Sequence, residues 1–127
     1  MEPQRELPLK VKEYIQTKLN IGINLDELAN DGQVYAELGA GYTEKKYTRG
    51  PGIYVHPILF ITKGKNEEAC IERLAKICNH FKATRNVPSG GCYSGRGLQV
   101  AAEPNKIGRQ EDGMVLYSCI INFKLSY

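Results

Sequence analysis

The chain contains no tryptophan and only two histidines, His56 and His80. Its four cysteines, Cys70, Cys78, Cys92 and Cys119, include no CxxC pair. A zinc site usually draws on closely spaced cysteine and histidine ligands, so no metal set is expected. No apolar run approaches the ~20 residues of a membrane-spanning helix. The N-terminus carries Glu2, Arg5 and Glu6 where a leader would need an apolar core, so no signal peptide is expected. Charge is not lopsided either. Seventeen basic and fourteen acidic residues leave a formal +3, too mild to argue for nucleic acid by itself.

What remains is ordinary globular composition, 42 % hydrophobic and 24 % charged over 127 residues. One domain, 1–127, is the expectation. Cys70 and Cys78 share the apolar face of one helical pattern. A free cysteine packs as a small hydrophobe, so reduced, buried cysteines are expected, as in a reducing cytosol.

The clearest pattern is at the end of the chain. Val115, Tyr117, Cys119, Ile121, Phe123, Leu125 and Tyr127 are apolar at every second position. Side chains on a strand alternate faces, so this row lines one side of a sheet. Thirteen residues span ~40 Å, whereas a compact globule of this length is only roughly 36 Å across. The strand crosses the molecule, bends or projects. Val115 to Leu125 is expected as a principal strand facing the helix around Cys70–Phe81. Whatever extends past the core, through Ser126 and Tyr127 or through the hairpin at the other end, is the expected contact with a neighbour.

Leu7, Val11, Tyr14, Ile15 and Leu19 recur at helical spacing, and the pattern predicts a helix over 8–20 with Pro8 in its first turn. Asn24 is expected to cap a short turn through Leu28. Residues 33–38 read as a strand. The segment 39–52, with Gly39, Gly41, Gly50 and Gly52, reads as a loop that could hold a short strand over 44–48. Ile53 to Thr62 is apolar on both faces and predicts a covered central strand. Pro57 cannot donate a ladder hydrogen bond, so a bulge or edge segment is expected there.

Asn66, Glu67 and Glu68 form a helix start, and Cys70, Ile71, Leu74, Ile77, Cys78 and Phe81 give one buried stripe, predicting a helix over 67–82. A glycine-rich loop over 84–97, a short strand over 98–102 and a polar hairpin connection over 103–113 follow. The fold class expected is α+β: a mostly antiparallel mixed sheet with two main helices packed on one face.

No constellation points to catalysis. The loop Ser89-Gly90-Gly91-Cys92-Tyr93-Ser94-Gly95-Arg96-Gly97 leads into a strand and lacks the Lys-Ser/Thr of a P-loop, so a contact loop is preferred to a phosphate cradle. Nothing orients Cys92 toward His80 as a nucleophile–base pair. His56 reads as a satisfied core or interface histidine. Glu103, Glu111 and Asp112 sit among Lys106 and Arg109, which suits a solvated turn or a salt-bridged subunit contact better than a carboxylate site. No enzyme, cofactor or metal is expected. Tyr42, Tyr47 and Tyr93 lie beside Lys45, Lys46, Arg49 and Arg96. Tyrosine interleaved with basic residues is the make-up of protein contact surfaces. It is also that of single-strand nucleic-acid platforms, which is the alternative function.

The run Tyr54-Val55-His56-Pro57-Ile58-Leu59-Phe60-Ile61, then Lys63-Gly64-Lys65-Asn66-Glu67-Glu68 opening an amphipathic helix, resembles the minor capsid proteins of long-tailed phages of the tail-terminator type. The closing run Glu103-Pro104-Asn105-Lys106-Ile107-Gly108-Arg109-Gln110-Glu111-Asp112-Gly113, followed by Tyr117-Ser118-Cys119-Ile120-Ile121-Asn122-Phe123, is the stronger match.

The resemblance implies a phage or prophage structural protein with no catalytic residues. Such a protein forms a ring, a hexamer, that caps the tail tube, stops its polymerisation and joins the tail to the head. The implied partners are other copies of the chain, the major tail tube protein and a head-completion or connector protein. Nucleic acid enters only as DNA passing through the ring. The implied location is the virion tail, and the host cytoplasm during assembly. Candidate assembly contacts are the segments 39–52, 89–97 and 103–113. Their named residues are Tyr42, Lys45, Lys46, Tyr47, Arg49, Tyr93, Arg96, Lys106, Arg109, Glu111 and Asp112.

Overall fold

Leu7, Val11 and Ile15, spaced four apart, form the buried stripe of helix α1 (Pro3–Leu19). The helix begins at Pro3, not Pro8. Pro3 takes the first-turn position, where its missing N–H would have no intrahelical partner. Pro8 lies inside the helix and forgoes the hydrogen bond to the turn before it. The second helix, α2 (Glu67–Thr84), starts where expected: the Asn66 side chain accepts from the Ala69 N–H at 3.3 Å. Its stripe of Cys70, Leu74, Ile77, Cys78 and Phe81 is buried, but Ile71, expected in the same stripe, is exposed.

The computed structural model describes residues 1–26, 33–46, 49–50 and 52–127. The strands are β1 (Ile23–Asn24), β2 (Val34–Leu38), β3 (Tyr42–Lys45), β4 (Ile53–Gly64), β5 (Ser94–Arg109) and β6 (Val115–Ser126). They form one sheet in the order β1-β2-β4-β6-β5, with β3 also paired to β4. Among the described residues, only the β1–β2 pairing is parallel. The fold is therefore α+β with a mostly antiparallel mixed sheet.

Facing pairs in the β4–β6 ladder share a side, so Ile58 with Ile121 and Phe60 with Cys119 form one apolar layer. Both helices cover it. Leu7, Val11 and Ile15 of α1 and Leu74, Ile77 and Phe81 of α2 belong to the same buried cluster. Phe81 meets Phe123 edge to face at 5.4 Å. The odd-numbered row of β6 packs against α2, as its alternation predicts.

Several expectations shift. Asn24, expected to cap a turn, lies in β1, and its amide donates to Gln33 Oε1 at 2.6 Å. The end of that expected turn, Leu28, is outside the described residues. The short strand expected over 44–48 is placed at Tyr42–Lys45; positions 47 and 48 lie outside the described residues.

Pro57 causes no bulge, since β4 pairs with β6 without a register shift. On the other side of β4, β2 ends opposite Ile58 and β3 begins opposite Val55. Pro57 sits at that break, where its carbonyl accepts from Gly39 at 2.8 Å and no strand asks for its missing N–H.

The largest correction is β5. A strand expected over 98–102 runs from Ser94 to Arg109, and the connection expected over 103–113 shrinks to a turn at Gln110–Met114. Four register shifts interrupt its ladder with β6. Bulges, Pro104 and exposed charges are how an edge strand refuses unwanted partners. They also erase the alternation that would have revealed it.

Candidate assembly surfaces

Tyr127 is held against its own chain instead of projecting. Its ring stacks on Tyr54 at 4.5 Å, and its hydroxyl lies 2.9 Å from His56 Nε2. Burial pushes the His56 imidazole below its ordinary pKa and the Tyr127 phenol above its own. His56 is thus a satisfied, buried histidine; Ser126 is buried at the end of β6, paired on both sides, and Tyr127 packs back on β4, so neither projects.

The hairpin also satisfies more of itself than expected. Lys106 Nζ meets Glu67 Oε1 at 2.8 Å, Arg109 lies 3.6 Å from the same oxygen, and Lys82 pairs with Glu103. Lys106 bonded to Glu67, with Arg109 nearby, holds the Glu67 carboxyl below its usual range. Lys106 and Arg109, expected as subunit contacts, therefore fasten the hairpin to the start of α2, and the Lys82–Glu103 pair ties it to the end. Glu111 and Asp112 stay exposed at the tip, and Asp112 accepts the Met114 N–H at 3.0 Å. Gly113 closes the turn with φ 86°, a region natural to glycine.

At the other end of the same strands, the segment after α2 and the first residues of β5 enclose an open groove of about 800 Å³. Tyr14, Arg85, Ser89, Gly90, Tyr93 and Arg96 are among its lining residues. Tyr93 is turned inward, and its hydroxyl donates to the Pro88 carbonyl. Burial, with the Glu6 charge nearby, pushes its phenol up to about 12. Its ring shapes the groove and offers little outward surface. Behind Gly90, Glu6 of α1 accepts the Cys92 N–H at 2.9 Å and also faces the Cys92 thiol, contacts that hold its carboxyl below the usual range. Burial and the Glu6 carboxylate push the Cys92 thiol up, the opposite of an activated nucleophile. His80 is bonded elsewhere, 2.7 Å from the Tyr14 hydroxyl. The Cys92–His80 pair is not assembled.

Tyr42, Lys45, Lys46 and Arg49 are exposed. The strand that carries the first two pairs with the start of β4. The sheet order there is β3-β4-β6-β5, so this basic strip shares an end with Arg96 but stands three strands away. Tyr47 lies outside the described residues. The candidate residues form separate surfaces at two ends of the sheet and do not converge on one site. Among the described residues, no group of histidine, cysteine and carboxylate side chains could hold a metal ion. A hydrogen bond shared with Cys78, together with burial, pushes the Cys119 thiol up, and none of the four cysteines is in a disulfide.

The sheet face opposite the helices is mixed: Leu59 faces Ile120, Ile61 faces Ser118 and Lys63 faces Leu116. Neither helix covers this face, so β4 is central, as expected, but is not covered on both sides.

Sequence reasoning did not single out Arg85 or Glu6. Arg85 closes α2 with φ 55°, a conformation that glycine usually supplies, so its residue type carried no capping signal. Glu6 meets a partner 86 positions away, which no local pattern encodes.

No protein-family model matches the chain, and a search of characterised proteins finds no significant relative. Among solved structures, the fold is similar to that of a chain from the "Virion of native gene transfer agent (GTA) particle". The TM-score is 0.60 and the identity 12 %, over 98 % of this chain and 95 % of that one. At that identity the likeness is one of fold.

Proposed function

We propose that this chain is a structural subunit of a phage or phage-like particle, of the tail-terminator type. The observation that carries the reading is the shared fold with a virion chain over nearly the full length of both chains. The tail-terminator assignment rests on the resemblance of the Tyr54–Glu68 and Glu103–Phe123 runs. A sheet face that neither helix covers, with Leu59 and Ile120 at its centre, and exposed charges at both ends of the sheet are consistent with a subunit completed by its neighbours.

The mechanism is capping by geometry. A ring subunit mimics a tube subunit on one face and refuses the next on the other. Six copies repeating one head-to-tail contact close the ring. The ring seats on the tube protein, and its outer face receives the head-completion protein. DNA passes through its centre. No step needs an enzyme or cofactor, and the chain resides in the virion tail after assembling in the host cytoplasm.

Negative-stain imaging of the protein mixed with tail tubes tests the reading. Rings seated on one end of the tubes are the expected result. Tubes that stay bare, with no rings in solution, would contradict it.

A further inference from the structure

Two unmatched charge clusters lie at opposite ends of one pair of strands. At the tip of the β5–β6 hairpin, Glu111 and Asp112 are exposed. In the groove at the start of β5, Arg85 and Arg96 are exposed. Among the described residues none of these four is in an ion pair, whereas the charges between them are matched: Lys106 and Arg109 by Glu67, and Glu103 by Lys82. Glu6, the acid behind the groove wall, accepts the Cys92 N–H and forms no ion pair with either arginine among the described residues.

We propose that the acidic hairpin tip of one copy docks into the Arg85–Arg96 groove of the next. This rests on the ring reading above and names the contact that builds the ring. Charge complementarity identifies the occupant. The groove presents two guanidiniums, whose planar fork suits carboxylates. The tip presents two carboxylates on a tight turn. A groove of about 800 Å³ is roomy enough for such a turn.

Geometry forces the contact to be between copies. Ser94 pairs with Ser126 at one end of the hairpin, and Arg109 with Val115 at the other. The twelve residues of β6 separate the two ends by ~40 Å, so no chain can reach its own groove. The contact joins different patches on the two copies, and a contact of that kind closes into a ring or propagates as a filament. Arg85 closes α2 in a left-handed conformation and lines the groove wall.

The test uses the full chain with two double variants, R85E/R96E and E111K/D112K, and the quadruple variant carrying both sets. Sedimentation velocity reads association, and circular dichroism reads folding. Each double variant should stay folded and associate at least about tenfold more weakly than the parent chain. An equimolar mixture of the two doubles, and the quadruple variant alone, should regain association, because both restore opposite charges across every contact. Should R85E/R96E fail to fold, R96A and E111Q are read in the same way, each expected to weaken association.

Doubles that assemble like the parent overturn the docking and leave the ring reading standing. A parent chain that never associates, alone or with tail tubes, overturns both. Folded doubles that stay monomeric when mixed also overturn the docking, because loss without rescue is not complementarity. If R85E/R96E loses binding to a single-stranded DNA oligonucleotide while assembling normally, the groove serves nucleic acid and the docking falls.

Discussion

The hydroxyl of Tyr127 lies 2.9 Å from Nε2 of His56, and the Tyr127 ring stacks on Tyr54 at 4.5 Å. The last residue of the chain thereby locks the end of its longest alternating strand onto β4. Removing only the hydroxyl, in Tyr127→Phe, leaves His56 without its partner and should cost about 1 kcal/mol. Tyr127→Ala also loses the stack and should cost about 2 kcal/mol. Urea denaturation of the three proteins checks the order. Equal stability of all three would show that the clamp carries no weight.

His56 should make stability depend on pH. Burial lowers its folded pKa below the ordinary 6.5, so the unfolded chain takes up the proton first as pH falls. This contribution is fully present above pH 6.5 and is lost as pH drops toward the folded pKa. Proton NMR of the ring gives the folded value directly. A midpoint at or above 6.5 would contradict the assignment.

Glu6 makes a second, more acidic window. Its folded pKa is depressed by the Cys92 N–H and thiol, so the stabilisation it lends is present above its ordinary value of 4.5 and lost as pH falls through the folded pKa. The Cys92 amide resonance should move over that range and stay still in Glu6→Gln. Hydrogen exchange at Cys92 should be faster in that variant, and unchanged exchange would mean that the contact does not hold the loop.

The core contact between Phe81 and Phe123 should dominate stability. Both are fully buried and meet edge to face at 5.4 Å. Phe123→Ala removes the transfer free energy and leaves a cavity, a loss of 3–5 kcal/mol by order of magnitude, roughly a large part of a domain's stability. Thermal and urea unfolding measure it, and a loss under about 1 kcal/mol would place the centre of the core elsewhere.

Much of this fold is legible in the sequence where one local signal agrees with another. Asn66, the acids after it and the stripe from Cys70 to Phe81 all specify α2, and the structure has all three. The odd-numbered row of β6 specifies both a strand and the face it buries. The strand β5 is hidden for a physical reason. An edge strand with one open side has little apolar alternation, and its bulges break what remains. Pro57 reads as a fault in β4 until the gap between β2 and β3 is known, and that gap is a tertiary fact.

The hairpin charges are legible in kind but not in partner. Composition identifies Lys106 and Arg109 as paired charges, yet only the fold shows that Glu67 of the same chain is the partner. Arg85 enters the groove through a left-handed helix end, which no sequence pattern announces for arginine.

Growth of tail tubes in the presence of the purified protein tests the central reading most directly. Purified tube protein is allowed to polymerise with and without this chain, and tube lengths are measured by electron microscopy. The tail-terminator reading predicts that addition stops elongation at a fixed length and leaves a ring on the growing end. Tubes that lengthen at the same rate and carry no terminal ring would contradict it.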